Sequence, residues 1–311
     1  DGNAILCLFL FVVGMKDIDF YALCKKTVWW YILAFTLTVI CSLLGIIQNW
    51  DYTMGGRVRV SLGYTYPSHA TSVFFFAVCL LCYVLGQKLQ IWQVIFVEIL
   101  NIWQYSQTDS RAGTILIFIA PIVFYFTKFF KKKPSKSLFY SLICLVYPIC
   151  ALFSLATAYF YRGSGPLSVL NRVLSNRLYL ENKALRNYGI SVFGKQIKWI
   201  GNGGYGHTFT QFEGTYNYVD CSYIRILLDY GVVIFLLVMI GLTLAVGYAI
   251  RKNDKYLMWA LVFVAVYSII EPRLIEIGFN PFVLMLVVLI DKASYLKVDE
   301  HKVNEGRKKN G

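Results

Sequence analysis

The chain has 311 residues, of which 58% are hydrophobic, 17% aromatic and only 15% charged, with a formal net charge of +13. A soluble domain carries about 25% charged residues, so this composition excludes a string of ordinary soluble domains and indicates a multi-span membrane protein. The positive charge does not indicate nucleic-acid binding, because much of it lies in short loops and a basic tail of the kind that meets anionic lipid headgroups.

A helix crossing a bilayer needs about 20 apolar residues, since the backbone must satisfy its own hydrogen bonds in lipid. In chain order, spans are predicted at 1–15, 27–47, 68–86, 89–105, 112–130, 137–160, 223–250, 256–270 and 278–290. The first begins inside an apolar run and reads as the end of a longer helix, with further helices before it and no visible signal peptide. The last two are short enough to be tilted or partly re-entrant. The expected fold class is all-α, a polytopic transmembrane bundle of about eight to nine spans with one large extracytoplasmic loop. The expected organisation is N-terminal transmembrane helices over 1–160, the large loop over 161–222, C-terminal transmembrane helices over 223–290 and a basic cytoplasmic tail over 291–311.

Alternating the loops between these spans puts nearly all the lysines in one set and most of the arginines in the other. One set holds Lys16–Lys26, Lys88, Lys128–Lys136, Arg251–Lys255 and the tail from Lys292; the other holds Arg57, Arg59, Arg111, Arg162, Arg172, Arg177, Arg186, Arg225 and Arg273. The larger, lysine-rich set marks the cytoplasmic side. Arginine is then concentrated outside, against the usual bias, and its planar fork matches phosphate and carboxylate. An anionic substrate at the outer face is the expectation.

Most cysteines lie in apolar stretches, and Cys221 alone falls on the outer side, so no outer disulfide is implied. Cys79-x-x-Cys82 reads as helix filling rather than a redox pair. The large loop contains Pro166-Leu-Ser-Val-Leu-Asn-Arg-Val-Leu-Ser-Asn-Arg-Leu-Tyr-Leu, which puts Leu167, Leu170, Leu174 and Leu178 on one helical face. This predicts an amphipathic helix on the membrane surface, with Arg172 and Arg177 off the stripe. A glycine-rich region, Gly194 to Gly206, follows.

Four outer constellations can carry chemistry. Arg57-Val-Arg59-Val-Ser61-Leu-Gly63-Tyr-Thr-Tyr66-Pro67-Ser-His69 offers guanidiniums and hydroxyls for a phosphate, or simply snorkels at a helix end. In Thr108-Asp109-Ser110-Arg111-Ala112-Gly113, Asp109 and Ser110 suit a helix cap, whereas Arg111 opposes the helix dipole and calls for a bound anion. In the large loop, Ser175-Asn-Arg177-Leu adds a phosphate contact, and Gly203-Gly-Tyr-Gly-His207 leads through Glu213 to Tyr218-Val-Asp220-Cys-Ser-Tyr223. His207 is either structural or catalytic, and Asp220 either a helix cap or a base. Glu271-Pro-Arg273 and Glu276 form either a local ion pair or part of a site. Glu98 lies mid-span, where a carboxyl is costly, and is either a marker of a cavity or partner, or a neutral structural group. Metal-ligand spacing and a cytoplasmic phosphate-cradling glycine loop are both absent from the sequence.

Together, Arg59-Val-Ser-Leu-Gly63 with Tyr66-Pro67, Thr108-Asp-Ser-Arg-Ala-Gly113, Leu174-Ser-Asn-Arg-Leu178, and Val219-Asp-Cys-Ser-Tyr-Ile224 followed by Leu227, Leu228 and Tyr230-Gly231 resemble the Wzy-type polysaccharide polymerases and the related O-antigen ligases. The resemblance implies a glycosyltransferase of the cytoplasmic membrane with an extracytoplasmic active face. Such an enzyme moves a growing glycan from one undecaprenyl diphosphate to the terminal sugar of the next lipid-linked repeat unit. It implies no metal and no nucleotide cofactor, with the lipid-linked glycan as donor and acceptor, membrane lipid as surroundings and a chain-length regulator as a further partner. On this reading Arg59, Arg111 and Arg177 bind the diphosphate and stabilise its developing charge. Asp220 or His207 takes the acceptor proton. The ligases carry a His about where Asp220 stands, which favours a polymerase. A ligase transferring to another acceptor, and a transporter or flippase of the lipid-linked unit, are the alternative readings.

Overall fold

A computed structural model describes residues 2–54, 57–130, 138–201 and 216–290. The described residues are overwhelmingly helical. In chain order the helices are α1 (Gly2–Gly14), α2 (Phe20–Leu43), α3 (Pro67–Leu85), α4 (Ile91–Thr108), α5 (Arg111–Thr127), α6 (Leu138–Cys144), α7 (Val146–Phe160), α8 (Pro166–Val173), α9 (Arg177–Tyr188), α10 (Ser222–Arg251) and α11 (Lys255–Tyr267). A 3-10 segment, Pro281–Leu289, follows. The all-α expectation holds, with one addition that the helical pattern hid. Strands β1 (Asp51–Met54) and β2 (Arg57–Val60) pair antiparallel, Tyr52 opposite Arg59, in the connection between α2 and α3.

Helix starts follow local chemistry. Asp19 caps α2 by accepting from the Tyr21 amide at 3.0 Å, and Asp254 caps α11 by accepting from Leu257 at 2.9 Å. Pro67 opens α3, where its missing N–H costs nothing. Gln90 and Gln93 form a reciprocal capping box at the start of α4.

The count of eight to nine spans is corrected. Among the described residues, three helices are long and apolar enough to cross a membrane: Phe20–Leu43, α3 with its 3-10 extension to Lys88, and Ser222–Arg251. The stretch 137–160 is a pair of helices bent by 64°, which makes a fourth if the pair is one span. Ala4–Gly14, Arg111–Thr127 and Lys255–Tyr267 are apolar but shorter. The stretch 278–290 is turn and 3-10 helix, begun by Asn280 and Pro281. The apolar belt expected of a membrane protein is present: Trp29, Leu33 and Leu37 of α2, Ile95, Ile99 and Ile102 of α4, and Leu236, Leu237 and Ile240 of α10 are all exposed. The chain is a helical membrane protein.

α3 and α10 organise the interior. α3 packs on α2, α4, α5 and α11, while α10 packs on α6, α7, α9, α11 and the 3-10 segment. Phe75 of α3 stacks on Tyr267 of α11 with ring centroids 3.9 Å apart. Small residues set the closest approaches: a Cβ at Gly113 would meet Thr71 Cγ2 at 2.6 Å. Cys79 and Cys82 are buried in α3, among its packing side chains.

α10 is broken at Gly231, whose φ of 79° and ψ of 179° are open essentially to glycine alone. The amides freed by the break donate into the preceding loop, Val232 to Ser191 O at 3.0 Å and Val233 to Val192 O at 3.2 Å. Lys195 N returns a bond to Leu228 O at 3.0 Å. A Cβ at Gly231 would lie 2.3 Å from Gly194 N and 2.4 Å from Val192 O. Gly231→Ala is therefore expected to cost at least about 1–3 kcal/mol in backbone strain alone. The check is a lowered thermal midpoint of the detergent-purified protein relative to wild type.

Candidate functional site

The long amphipathic helix expected from Pro166 to Leu180 is instead two helices. After α8 the chain turns through Ser175 (φ 55°) and Asn176 (φ 66°), both left-handed. Asn176 N donates to Asn171 O at 2.8 Å and Ser175 N to Arg172 O at 3.2 Å, the paired bonds of a helix-terminating turn. The buried Asn171 side chain holds the corner: it accepts from Tyr179 N at 3.0 Å and donates to Tyr161 Oη at 3.1 Å. The break delivers Arg177 to the start of α9, facing inward, and keeps Leu178 buried in line with the expected apolar stripe.

Arg177 joins three distant parts of the chain. Its Nε donates to Asp220 Oδ2 at 2.8 Å and its Nη2 to Glu271 Oε1 at 3.3 Å. Asp220 sits just before α10 but does not cap it; Cys221 holds the cap position, and the Asp220 carboxylate is turned to Arg177. Glu271 follows α11 and pairs with Arg177 rather than with its sequence neighbour Arg273. Ser72 Oγ of α3 donates to Glu271 Oε2 at 3.5 Å, and Ser222 Oγ donates to Glu271 O at 2.6 Å. Burial works against the Arg177 charge, but Asp220 and Glu271 outweigh it and hold the guanidinium protonated. Burial pushes the Glu271 carboxyl up, against the pull of Arg177.

Arg59 reaches the same cluster from β2. It donates Nε to Thr108 O at 2.8 Å, Nη1 to Tyr66 Oη at 3.2 Å and Nη2 to Ser110 Oγ at 3.2 Å, and its charge is felt at Glu271. Ser110 was expected to cap α5; its hydroxyl makes no cap bond and accepts from Arg59 instead. Arg111 does not join. Its side chain is 55% exposed and pairs with Asp109 at 3.5 Å. Of the sequence candidates, Arg59, Arg177 and Asp220 come together, Arg111 stays at the rim, and His207 lies outside the described residues.

Two further arginines complete the site: Arg273, from the Glu271-Pro-Arg273 constellation, and Arg225, which no motif singled out. Arg273 is buried; it pairs with Glu276 and its guanidinium lies 4.3 Å from the Phe279 ring centroid. Its Nη2 faces His69 Nε2. A guanidinium has no acceptor, so His69 accepts there, and its Nδ1–H donates to Thr65 Oγ1 at 2.7 Å: the imidazole is neutral. Arg225 of α10 pairs with Asp229 at 3.4 Å and lies 4.7 Å from the Tyr218 ring centroid. Tyr218 is within electrostatic reach of Arg225, Arg273 and Asp220 alike. Arg225 Nη1 and Arg273 Nε are buried with no acceptor among the described residues. Buried donors are nearly always satisfied in folded proteins, so these two can take an acceptor from beyond the described residues. The signal was present in the sequence only as outer arginines; burial and missing partners are properties of packing.

Comparison of the chain with protein-family models, with curated proteins and with solved structures finds no match.

Removing Arg177 leaves two carboxyls facing each other without their cation. Arg177→Ala is expected to lower stability by about 3–5 kcal/mol, as for other broken buried pairs. A larger fall in the thermal midpoint than for Arg111→Ala is the check. Glu181 of α9, 3% exposed, gives a pH signature. Burial, partly offset by Arg177 and reinforced by Asp220, raises its carboxyl from 4.5 to about 8. The fold then holds a proton that the unfolded chain releases, so this contribution is complete below pH 4.5 and is lost as pH rises towards 8. Glu181→Gln is expected to flatten the dependence of thermal midpoint on pH across that window.

Proposed function

We propose that the protein is a membrane glycosyltransferase that polymerises undecaprenyl-diphosphate-linked oligosaccharide repeat units at the outer face of the cytoplasmic membrane. The observation that supports this reading most strongly is the gathering of Arg59, Arg177, Arg225 and Arg273 at one end of the helices, two of them with buried donors that find no acceptor among the described residues. A departing diphosphate supplies acceptors and gains negative charge in the transition state, where preorganised guanidiniums act best. The reaction class comes from the resemblance of four short motifs to those of the Wzy-type polymerases.

The division of labour follows from what each side chain already holds. Arg177 is a positioning residue, committed to Asp220 and Glu271. It binds Asp220 through Oδ2, and Oδ1 is the oxygen offered to the acceptor hydroxyl. Arg59 uses three of its five N–H groups on its own frame, which fixes the plane of its guanidinium. The remaining donors, with Arg111 at the rim, meet the diphosphate. The acceptor oxygen attacks the sugar carbon as the carbon–oxygen bond to the diphosphate breaks, and the acceptor proton passes to Asp220.

The outward sidedness rests on lysine and arginine placement. Lys128 and Lys255 lie together near Leu89 and Phe130, at the end of α5 opposite Arg111. That sidedness requires α1, α4, α5 and α11 to cross lipid as well, although none of them is among the three helices long and apolar enough to do so by itself. Reconstitution with a defined lipid-linked repeat tests the reading, with product length resolved on a gel. Wild type is expected to give a ladder. Arg59→Lys, which keeps charge but loses the fork, and Asp220→Asn are each expected to lower the rate by roughly 10²-fold or more. Transbilayer movement of the lipid-linked unit without extension would replace this reading with a flippase.

A further inference from the structure

α4 exposes apolar side chains along much of its surface, among them Ile95, Ile99 and Ile102, yet one stripe of it is polar. Glu98, Asn101, Gln104 and Thr108 recur at helical spacing on the side turned to α3 and α5. Asn101, Gln104 and Thr108 are 1%, 2% and 0% exposed. Both carboxyl oxygens of Glu98, Asn101 Oδ1 and Gln104 Oε1 are buried with no hydrogen-bond partner among the described residues. Asn101 donates one amide hydrogen to Thr114 O at 3.1 Å, and its side chain lies within hydrogen-bonding reach of Glu98. From α3, Cys82 is the titratable group within reach of Glu98.

The row continues upward without a gap. Gln104 Nε2 donates to Thr71 Oγ1 at 3.2 Å, Thr71 and Thr108 hydroxyls are 3.4 Å apart, and Thr108 O accepts from Arg59. Thr108 is ten residues above Glu98, so the helical rise places the carboxyl about 15 Å below the arginine cluster. That is half of the roughly 30 Å hydrocarbon core.

Asn101 Oδ1 and Gln104 Oε1 are acceptors, and a neutral Glu98 adds one acceptor and one donor, so the occupant must both donate and accept. A single cation does not fit. The rise from Glu98 to Gln104 is about 9 Å. Oxygen ligands sit only about 2.3–2.6 Å from a Ca²⁺ ion, for instance. Water fits, because each molecule brings two donors and a row of them spans the distance. An unpaired carboxylate at this depth is costly, and the group neutralises instead.

We propose that Glu98, Asn101, Gln104, Thr71 and Thr108 line a file of ordered water, with a protonated Glu98 at its inner end that exchanges its proton with the arginine-lined face. Each hand-over along the file breaks one O–H bond and forms the next, so a proton moves with no other reactant. The file gives the outer site a proton store inside the bilayer.

Infrared difference spectroscopy of the full chain in lipid vesicles, wild type against Glu98→Gln, tests this without any glycosyl transfer. A protonated-carboxyl band at neutral pH is expected, lost in Glu98→Gln and shifted in wild type on transfer to D₂O. In Gln104→Leu, which interrupts the file, the D₂O shift of the same band is expected to be slower. No Glu98-dependent band, a band that does not shift in D₂O, or an equally fast shift in Gln104→Leu would each overturn the proposal. If Gln104→Leu does not fold, the wild-type shift decides alone, since a carboxyl sealed in dry hydrocarbon does not exchange.

Discussion

The buried pairing of Arg177 with Asp220 and Glu271 is the constraint on which the polar end of this protein depends. A guanidinium and two carboxyls withdrawn from water are unfavourable one by one, and become tolerable only when each supplies the other's hydrogen bonds. The three residues come from the start of α9, the residue before Ser222–Arg251 and the residues after Lys255–Tyr267. Their pairing therefore decides where a loop helix sits against two helices that lie deep in the bundle. Ser222, bonded to the Glu271 and Leu274 backbone, ties the same two helix ends a second time.

The bilayer as solvent explains the remainder. Apolar side chains face outward on α2, α4 and α10, and the interior is built from closer packing of aromatic rings and small residues. Within lipid, backbone groups have no water to turn to, so a break in a helix is stable only where another segment satisfies the freed amides. The kink at Gly231 meets that condition through Ser191 and Val192. It joins α10 to the segment carrying Trp199, whose indole donates to Asp229 at 2.8 Å. Asp229 in turn receives Arg225, one of the two arginines with a buried donor unmatched among the described residues. The backbone break and the arginine cluster are parts of one arrangement.

Much of this was legible along the chain. The apolar runs announced helices, and Asp19, Pro67, Gln90 and Asp254 marked their starts by chemistry that acts within a few residues. Arg59, Arg177 and Asp220 were singled out from short motifs, and they do converge. Less legible were matters of partner choice. Ser110 looked like a cap and instead accepts from Arg59; Asp220 looked like a cap or a base and is gripped by Arg177; Glu271 looked like the partner of Arg273 and belongs to Arg177. In each case a residue capable of a local bond makes a distant one, a choice that depends on which helix ends meet.

The sequence by itself determined the helical character and the apolar outer surface, because these follow from residue type and from spacings of a few positions. Only the tertiary structure decided which arginines are buried together, that the amphipathic stretch breaks at Ser175 and Asn176, and that a polar stripe on α4 runs up to Arg59. The reason is physical. Burial, missing partners and ion pairing between residues tens of positions apart are created when helices pack, and no local propensity encodes them.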